Sequence, residues 1–407
     1  MSVIEEPRQA TDVPAAEVLI KEARQRQRRR RLLVGIIVLT AVVVSSITYA
    51  IANQPSSRSP RTGASSPTKP VSPSQSGPFV SPRAPYALAV ASNGDLLVVD
   101  SARDQILRRL SSGKFQAVAG DGERGFSGDE GPATRARINV QDNSGIVVAR
   151  DGTVYFSDTG NGRVREILPN GIIKTIVGGG TRPLGQGSMP ALSASINEPL
   201  PEELAGLAIG ANGELYVAAD GVYRLGPGGI LRLVVGKADP PKDWPKSWDG
   251  PYSNPAIQPD FTKAQRLAFD GNGDLLVAGG GGYGLYEMTK DGRLLFLETF
   301  MGEEAWWGSL AEATGGTVVL ADRRGVSRLS SSGSIKLMSP SVIGANSPLS
   351  AALAEPHQIH GFICGDGVAV GRNGDIYLDT NAGNGWTSVS GILELRPNGK
   401  VVALWKS

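Results

Sequence analysis

Twelve times between Tyr86 and Trp405 a short apolar run halts at two residues ending in glycine, and a second apolar run follows. The first pair reads YALAVA, Ser92-Asn93-Gly94, DLLVVD, then QILRRL, Ser112-Gly113, KFQAVAG. Five more pairs follow, and their first turns end in Gly152, Gly213, Gly273, Gly316 and Gly374, as the first copy's ends in Gly94. Their second turns end in Gly113, Gly171, Gly229, Gly292, Gly333 and Gly399. Asn-Gly and Asp-Gly between β-rich runs point to type I′ hairpins, whose central residues both need positive φ. Six copies of a four-stranded antiparallel meander predict an all-β, six-bladed β-propeller over residues 84–407.

Meander geometry also sorts the loops. Turns after the first and third strands of every blade fall at one end of the ring, so all the glycine turns share that face. The longer connectors share the other, and a function that uses a loop surface is expected there. Successive first-turn glycines lie 58, 61, 60, 43 and 58 residues apart. The meander is nearly constant, so the variation belongs to the connectors. Blade six supplies all four of its strands, leaving ring closure open, with Phe79–Arg83 as a candidate edge contact.

The segments before the ring are different in kind. Residues 1–31 end in Arg28-Arg29-Arg30-Arg31 and read as a basic cytoplasmic tail. Residues 32–52, LLVGIIVLTAVVVSSITYAIA, carry no charge over 21 positions. At about 1.5 Å per residue such a helix spans a bilayer core. Arginines before it and none just after place the N-terminus inside, at the plasma membrane, and the rest outside. An uncleaved signal-anchor is expected, and cleavage after Ala52 is the alternative. Residues 53–83 are rich in proline and serine and read as a disordered stalk.

Charge narrows the function. Residues 83–407 hold 30 basic and 34 acidic side chains, without the basic stripe of a nucleic-acid surface. The lone Cys364 forbids an internal disulfide and reads as a small buried thiol. The glycine runs 178–180 and 279–282 lack the Lys-Ser/Thr of a phosphate loop. The stretch Gly120–Glu130 lacks EF-hand spacing and reads as a folded connector.

That stretch also carries a resemblance. Gly120-Asp-Gly-Glu-Arg-Gly-Phe-Ser-Gly-Asp-Glu-Gly-Pro-Ala-Thr, followed by DGTVYFSDTGNGRVREI, resembles bacterial NHL-repeat proteins. Asp158, Asn161, Arg163 and Ile167 carry the pattern, and Asp100, Arg103 and Ile106 repeat it in blade one. The connector signature Pro132-Ala133-Thr134 returns as Pro190-Ala191-Leu192 and more faintly at Pro255-Ala256 and Pro348-Leu349. The resemblance implies a six-bladed propeller used outside the cell as a sensor or protein-binding module, and it implies no reaction.

Two functional readings follow. In the first, the protein binds a protein or cell-wall glycan ligand on the loop face, without catalysis or cofactor. Trp244, Trp248, Trp306, Trp307, Trp386 and Tyr252 lie in the connectors and offer large contact area at low entropic cost. The same rings would equally serve to cap the ring and stiffen its loops. In the second, a metal-dependent hydrolase or lyase, lactonase-like, works in the axial channel. Asn143, Glu203, Gln265 and Asp366 stand at innermost-strand starts beside Arg266, with His360 in a preceding loop. Their oxygen donors suit Ca²⁺ or Mg²⁺.

Overall fold

The computed structural model describes residues 77–185, 187–196, 206–236, 253–255, 264–279, 284–290, 292–299, 309–313, 316–322, 325–329, 335–337, 364–383 and 388–406. The tail, the apolar span 32–52 and most of the linker lie outside them. So do the five connector tryptophans, Tyr252, Glu203 and His360. Among the described residues no helix is long and apolar enough to cross a membrane.

Six antiparallel sheets succeed one another along the chain, each a meander in sequence order, and form a six-bladed propeller. Blade one runs Pro85–Val90, Leu96–Asp100, Gln105–Arg109 and Phe115–Ala119 from the axis outward. The inner strands of the other blades are Ile146–Val148, Leu207–Ile209, Ala264–Phe269, Ser309–Glu312 and Cys364–Val370.

Why the second strands are apolar on both faces is now plain. Leu97 and Val99 pack with Ile138, Ile146 and Phe156 of blade two. Their alternate neighbours Leu96 and Val98 pack with Ala369 and Ile392 of blade six. Successive side chains of one strand point to opposite faces, so each blade contributes to two cores. Six such inter-blade clusters run round the ring. Burying each valine or leucine contributes about 1.5–3 kcal/mol. Among the described residues no strand is exchanged at the closure between blades six and one: all four strands of blade six come from residues 364–406, and this packing joins the two blades.

Blades one to four hold five strands rather than the expected four. The extra outermost strand comes from the segment just ahead of each meander: Phe79–Val80, Gly131–Pro132, Ser188–Pro190 and Ser253–Pro255. In the last three the Pro-Ala signature marks the strand's end, and proline suits an edge strand because its missing N–H costs no ladder bond there. Composition places Phe79 and Val80 in the stalk, yet they pair with Gln116 and Phe115. The structure therefore starts blade one within the stretch that reads as linker.

The turns also differ from the type I′ expectation. Gly94, Gly152, Gly213, Gly273, Gly316 and Gly374 have φ between 77° and 91°, but among the described non-glycine residues only Asp104 and Glu130 have positive φ. Ala91 N–H donates to Asp95 O, and Gly94 N–H donates to Ala91 O, so the loop holds three residues. This is a type I turn closed by a left-handed glycine bulge. The Asn93 side-chain oxygen accepts the Asp95 N–H at 3.0 Å, and Asn212, Asn373 and Asn398 repeat the bond. Asparagine is thus chosen for its side-chain acceptor, not for left-handed backbone.

The connector from blade one to blade two is built around one buried cation. Arg165, fully buried, donates from Nη2 to Ser127 O (2.9 Å) and Asp129 Oδ1 (2.7 Å), and from Nη1 to Arg137 O (3.0 Å). Its Nη1 also lies 3.5 Å from the buried Asp158 carboxylate. Phe126 covers the group, its ring centre 5.0 Å from the Arg165 guanidinium carbon and 3.9 Å from that of Arg163. At its other end the connector is tied to blade one by Arg124 and Asp104, 3.1 Å apart. The glycine-rich loop is a structural clasp.

Candidate functional site

The inner strands of all six blades enclose an axial channel of about 820 Å³. At the strand-start end its polar side chains, among the described residues, are Ser144, Arg266 and Ser309. Both serines are already engaged. Ser144 Oγ accepts the Gln141 N–H at 2.9 Å and shares a hydrogen bond with Thr159 Oγ1 at 2.7 Å. Ser309 Oγ accepts the Val368 N–H at 3.2 Å and so ties blade five to blade six. Arg266 donates one bond to Gln265 O and, among the described residues, no other, which leaves the rest of its fork to the channel.

The tight-turn end is more charged. Arg150, Lys290 and Arg372 line it with Glu312 and Asp270. Asp270 is consumed by its own turn, accepting from Asn272 N–H (2.9 Å), Asn272 Nδ2 (3.0 Å) and Asp274 N–H (2.8 Å). Glu312 keeps much of its side chain open to the channel, yet the walls withdraw its carboxyl from bulk water. That desolvation raises its acid range, partly opposed by Arg150 and reinforced by Asp270.

The strand-end aspartates cap backbone. Asp100 accepts the N–H groups of Arg83 and Ala84, Asp158 that of Asn139, and Asp379 that of Gly367. Each bond ties the end of a second strand to the chain at or just ahead of its own blade's first strand. Burial raises the acid ranges of Asp100 and Asp158.

Asp220 in blade three shows the energetic consequence. Burial raises its acid range, and its partners are the Tyr223 hydroxyl at 2.8 Å and the Gly221 N–H. A carboxyl whose folded pKa lies above its unfolded value binds more protons when folded. Stability is then lost as pH rises from the unfolded value, near 4, through the raised one. Asp220→Asn keeps an acceptor for Tyr223 and removes this loss. Its melting temperature should match the parent's near pH 4 and exceed it at pH 7. A fall at both pH values would contradict the assignment.

Of the residues singled out for the channel, Asn143 sits half-buried just before the inner strand of blade two, and its neighbour Ser144 lines the cavity. Gln265 is half-buried on the inner strand of blade four, where Arg266 lines it. Asp366 lies on the inner strand of blade six, its side chain outside the described residues. Arg150 and Arg372 were not singled out from the sequence. Both occupy the position after the first residue of the inner hairpin turn, and that turn offset was the available signal.

Of the oxygen and nitrogen donors singled out for a divalent cation, Glu203, His360 and the Asp366 side chain lie outside the described residues. The described donors at the strand-start end are two hydroxyls already bonded and a guanidinium that repels cations. Among the described residues no three His, Cys, Asp or Glu side chains gather into a metal-binding group.

No protein-family model matches the chain, and no curated protein matches it in sequence. Solved structures match by shape. The virginiamycin B lyase of Staphylococcus aureus aligns with 79% of this chain and 83% of its own, at 12% identity and a TM-score of 0.44. A gluconolactonase from Xanthomonas campestris aligns with 81% and 87%, at 13% identity and 0.42. Regucalcin of Agrobacterium tumefaciens, a calcium-binding protein, aligns with 64% and 72%, at 15% identity and 0.37. The likeness is one of fold.

Proposed function

We propose that the protein is a ligand-binding propeller, held outside the membrane on its stalk, and that its axial channel takes a small organic anion. One observation carries the reading. Arg150, Arg266, Lys290 and Arg372 line the channel against Glu312 and an Asp270 already spent on its turn. Low-dielectric walls focus such a field on whatever enters. A protein or wall glycan held by the connector tryptophans would then be a second contact, on the loop face.

The test is thermal melting of the full chain with succinate, citrate or glycerol 3-phosphate, and separately with glucose, Ca²⁺ or Mg²⁺. An anion at 100 times its Kd should stabilise by about 2.7 kcal/mol. Arg266→Gln should erase most of the shift. Stabilisation by a metal, reversed by chelator, with none by any anion, would overturn the reading.

A second reading rests on Glu312. A carboxylate with a raised acid range in a cleft is a candidate general base. Hydrolase or lyase chemistry on an ester or lactone would then occur in the same channel. Turnover lost in Glu312→Gln, with anion binding intact, would select it.

A further inference from the structure

A second cavity opens at the tight-turn end, outside the axial channel. It holds about 590 Å³ between blades one and two. Its walls are apolar over Leu97, Val118, Val154, Ile167, Leu168 and Pro169. Four charged residues border it, and three are committed. Arg108 lies 3.7 Å from the Asp95 carboxylate. Asp95 also accepts a bond from the Asn93 side chain at 2.9 Å. Asp151 Oδ1 accepts the Thr153 N–H at 3.0 Å within its own turn. Arg150 is the fourth. It is exposed and, among the described residues, has neither a hydrogen bond nor an ion pair within 4 Å. Together with Val148 it lines both this cleft and the channel.

We infer that this cleft binds a small amphipathic carboxylate, an aryl- or alkyl-substituted acid whose apolar body fills the wedge between the blades and whose carboxylate pairs with Arg150. The four charges sum to zero, so the sign of the ligand rests on Arg150, the one of them that, among the described residues, makes neither a hydrogen bond nor an ion pair within 4 Å. The wall selects its body, because burying apolar surface against these side chains drives binding at about 25 cal/mol per Å². Arginine suits the head group, its fork matching a carboxylate with two parallel hydrogen bonds. The cleft shares Arg150 and Val148 with the channel but has its own apolar wall, and Arg266, which lines the channel alone, tells the two apart. It lies on the face that loop length alone marks as the less functional one.

The probe is 4-phenylbutyrate, titrated into the full chain by calorimetry beside 4-phenylbutanol and acetate. The acid should bind at least ten-fold tighter than either control. Arg150→Gln and the cleft-filling Ala91→Phe should each weaken it ten-fold or more, with unchanged melting temperature showing that each variant folds. Arg266→Gln, which reports on the channel, should leave this affinity unchanged while losing the channel anion. Equal binding of the alcohol, no measurable binding of the acid, or full binding in both cleft variants would overturn the proposal. Loss of phenylbutyrate in Arg266→Gln alone would place the ligand in the channel and overturn it as well.

Discussion

Arg165→Leu should destabilise the protein by about 3–5 kcal/mol, the usual cost of leaving one partner of a buried ion pair behind. The guanidinium serves two carbonyls and Asp129, and it lies beside Asp158. Its removal strands a carboxylate whose acid range burial already raises. The chemical midpoint of unfolding should fall without a change in slope. Amide exchange should rise first in residues 124–130, which lose their anchor on blade two. Adding Asp158→Asn should recover part of the loss, since no unpaired buried charge then remains and the exposed Asp129 stays hydrated. Equal losses in the single and double variants would show that packing, not charge, accounts for the effect.

The second large effect is expected at Gly367, where blade six meets blade one. A Cβ added there would stand 2.4 Å from Tyr86 O and 3.1 Å from Ala87 Cα. The obstacle is backbone on the neighbouring blade, so no side chain can swing aside. Gly367→Ala should cost about 1–3 kcal/mol by overpacking, and Gly367→Val more. Because closure here depends on packing and not on an exchanged strand, the damage should spread along both inner strands. Hydrogen exchange should report that spread. Gly185→Ala is the control, for its added Cβ would meet nothing within 4 Å. A Gly367→Val variant as stable as the parent would mean that the seam yields at little cost.

Much of the ring was legible in the chain because its repeats are local. An Asn-Gly between two apolar runs specifies a hairpin through contacts within five residues, and six such pairs specify six blades. The turn type was not legible. Asn-Gly fits both a two-residue type I′ loop and a three-residue loop with a glycine bulge, and the Asn93 side chain decides for the latter by accepting the Asp95 N–H. Of the fifth strands only that of blade one lay within a stretch singled out as an edge contact, Phe79–Arg83, and it pairs with blade one itself. Gly131–Pro132 is two residues long, and two residues carry no period to read.

The channel was harder still. Asn143 and Gln265 are polar residues at the right height, but the wall is formed by their neighbours Ser144 and Arg266. A one-residue offset is invisible to composition.

The sequence by itself therefore determined the elements, their number and their order, since hairpins and alternating burial are short-range consequences of residue type. Only the tertiary structure decided which charges meet. Arg150 and Glu312 belong to blades two and five, more than a hundred and fifty residues apart, and reach one cavity because the ring closes. Closure is a sum of six inter-blade cores, and no local stretch of chain encodes that sum.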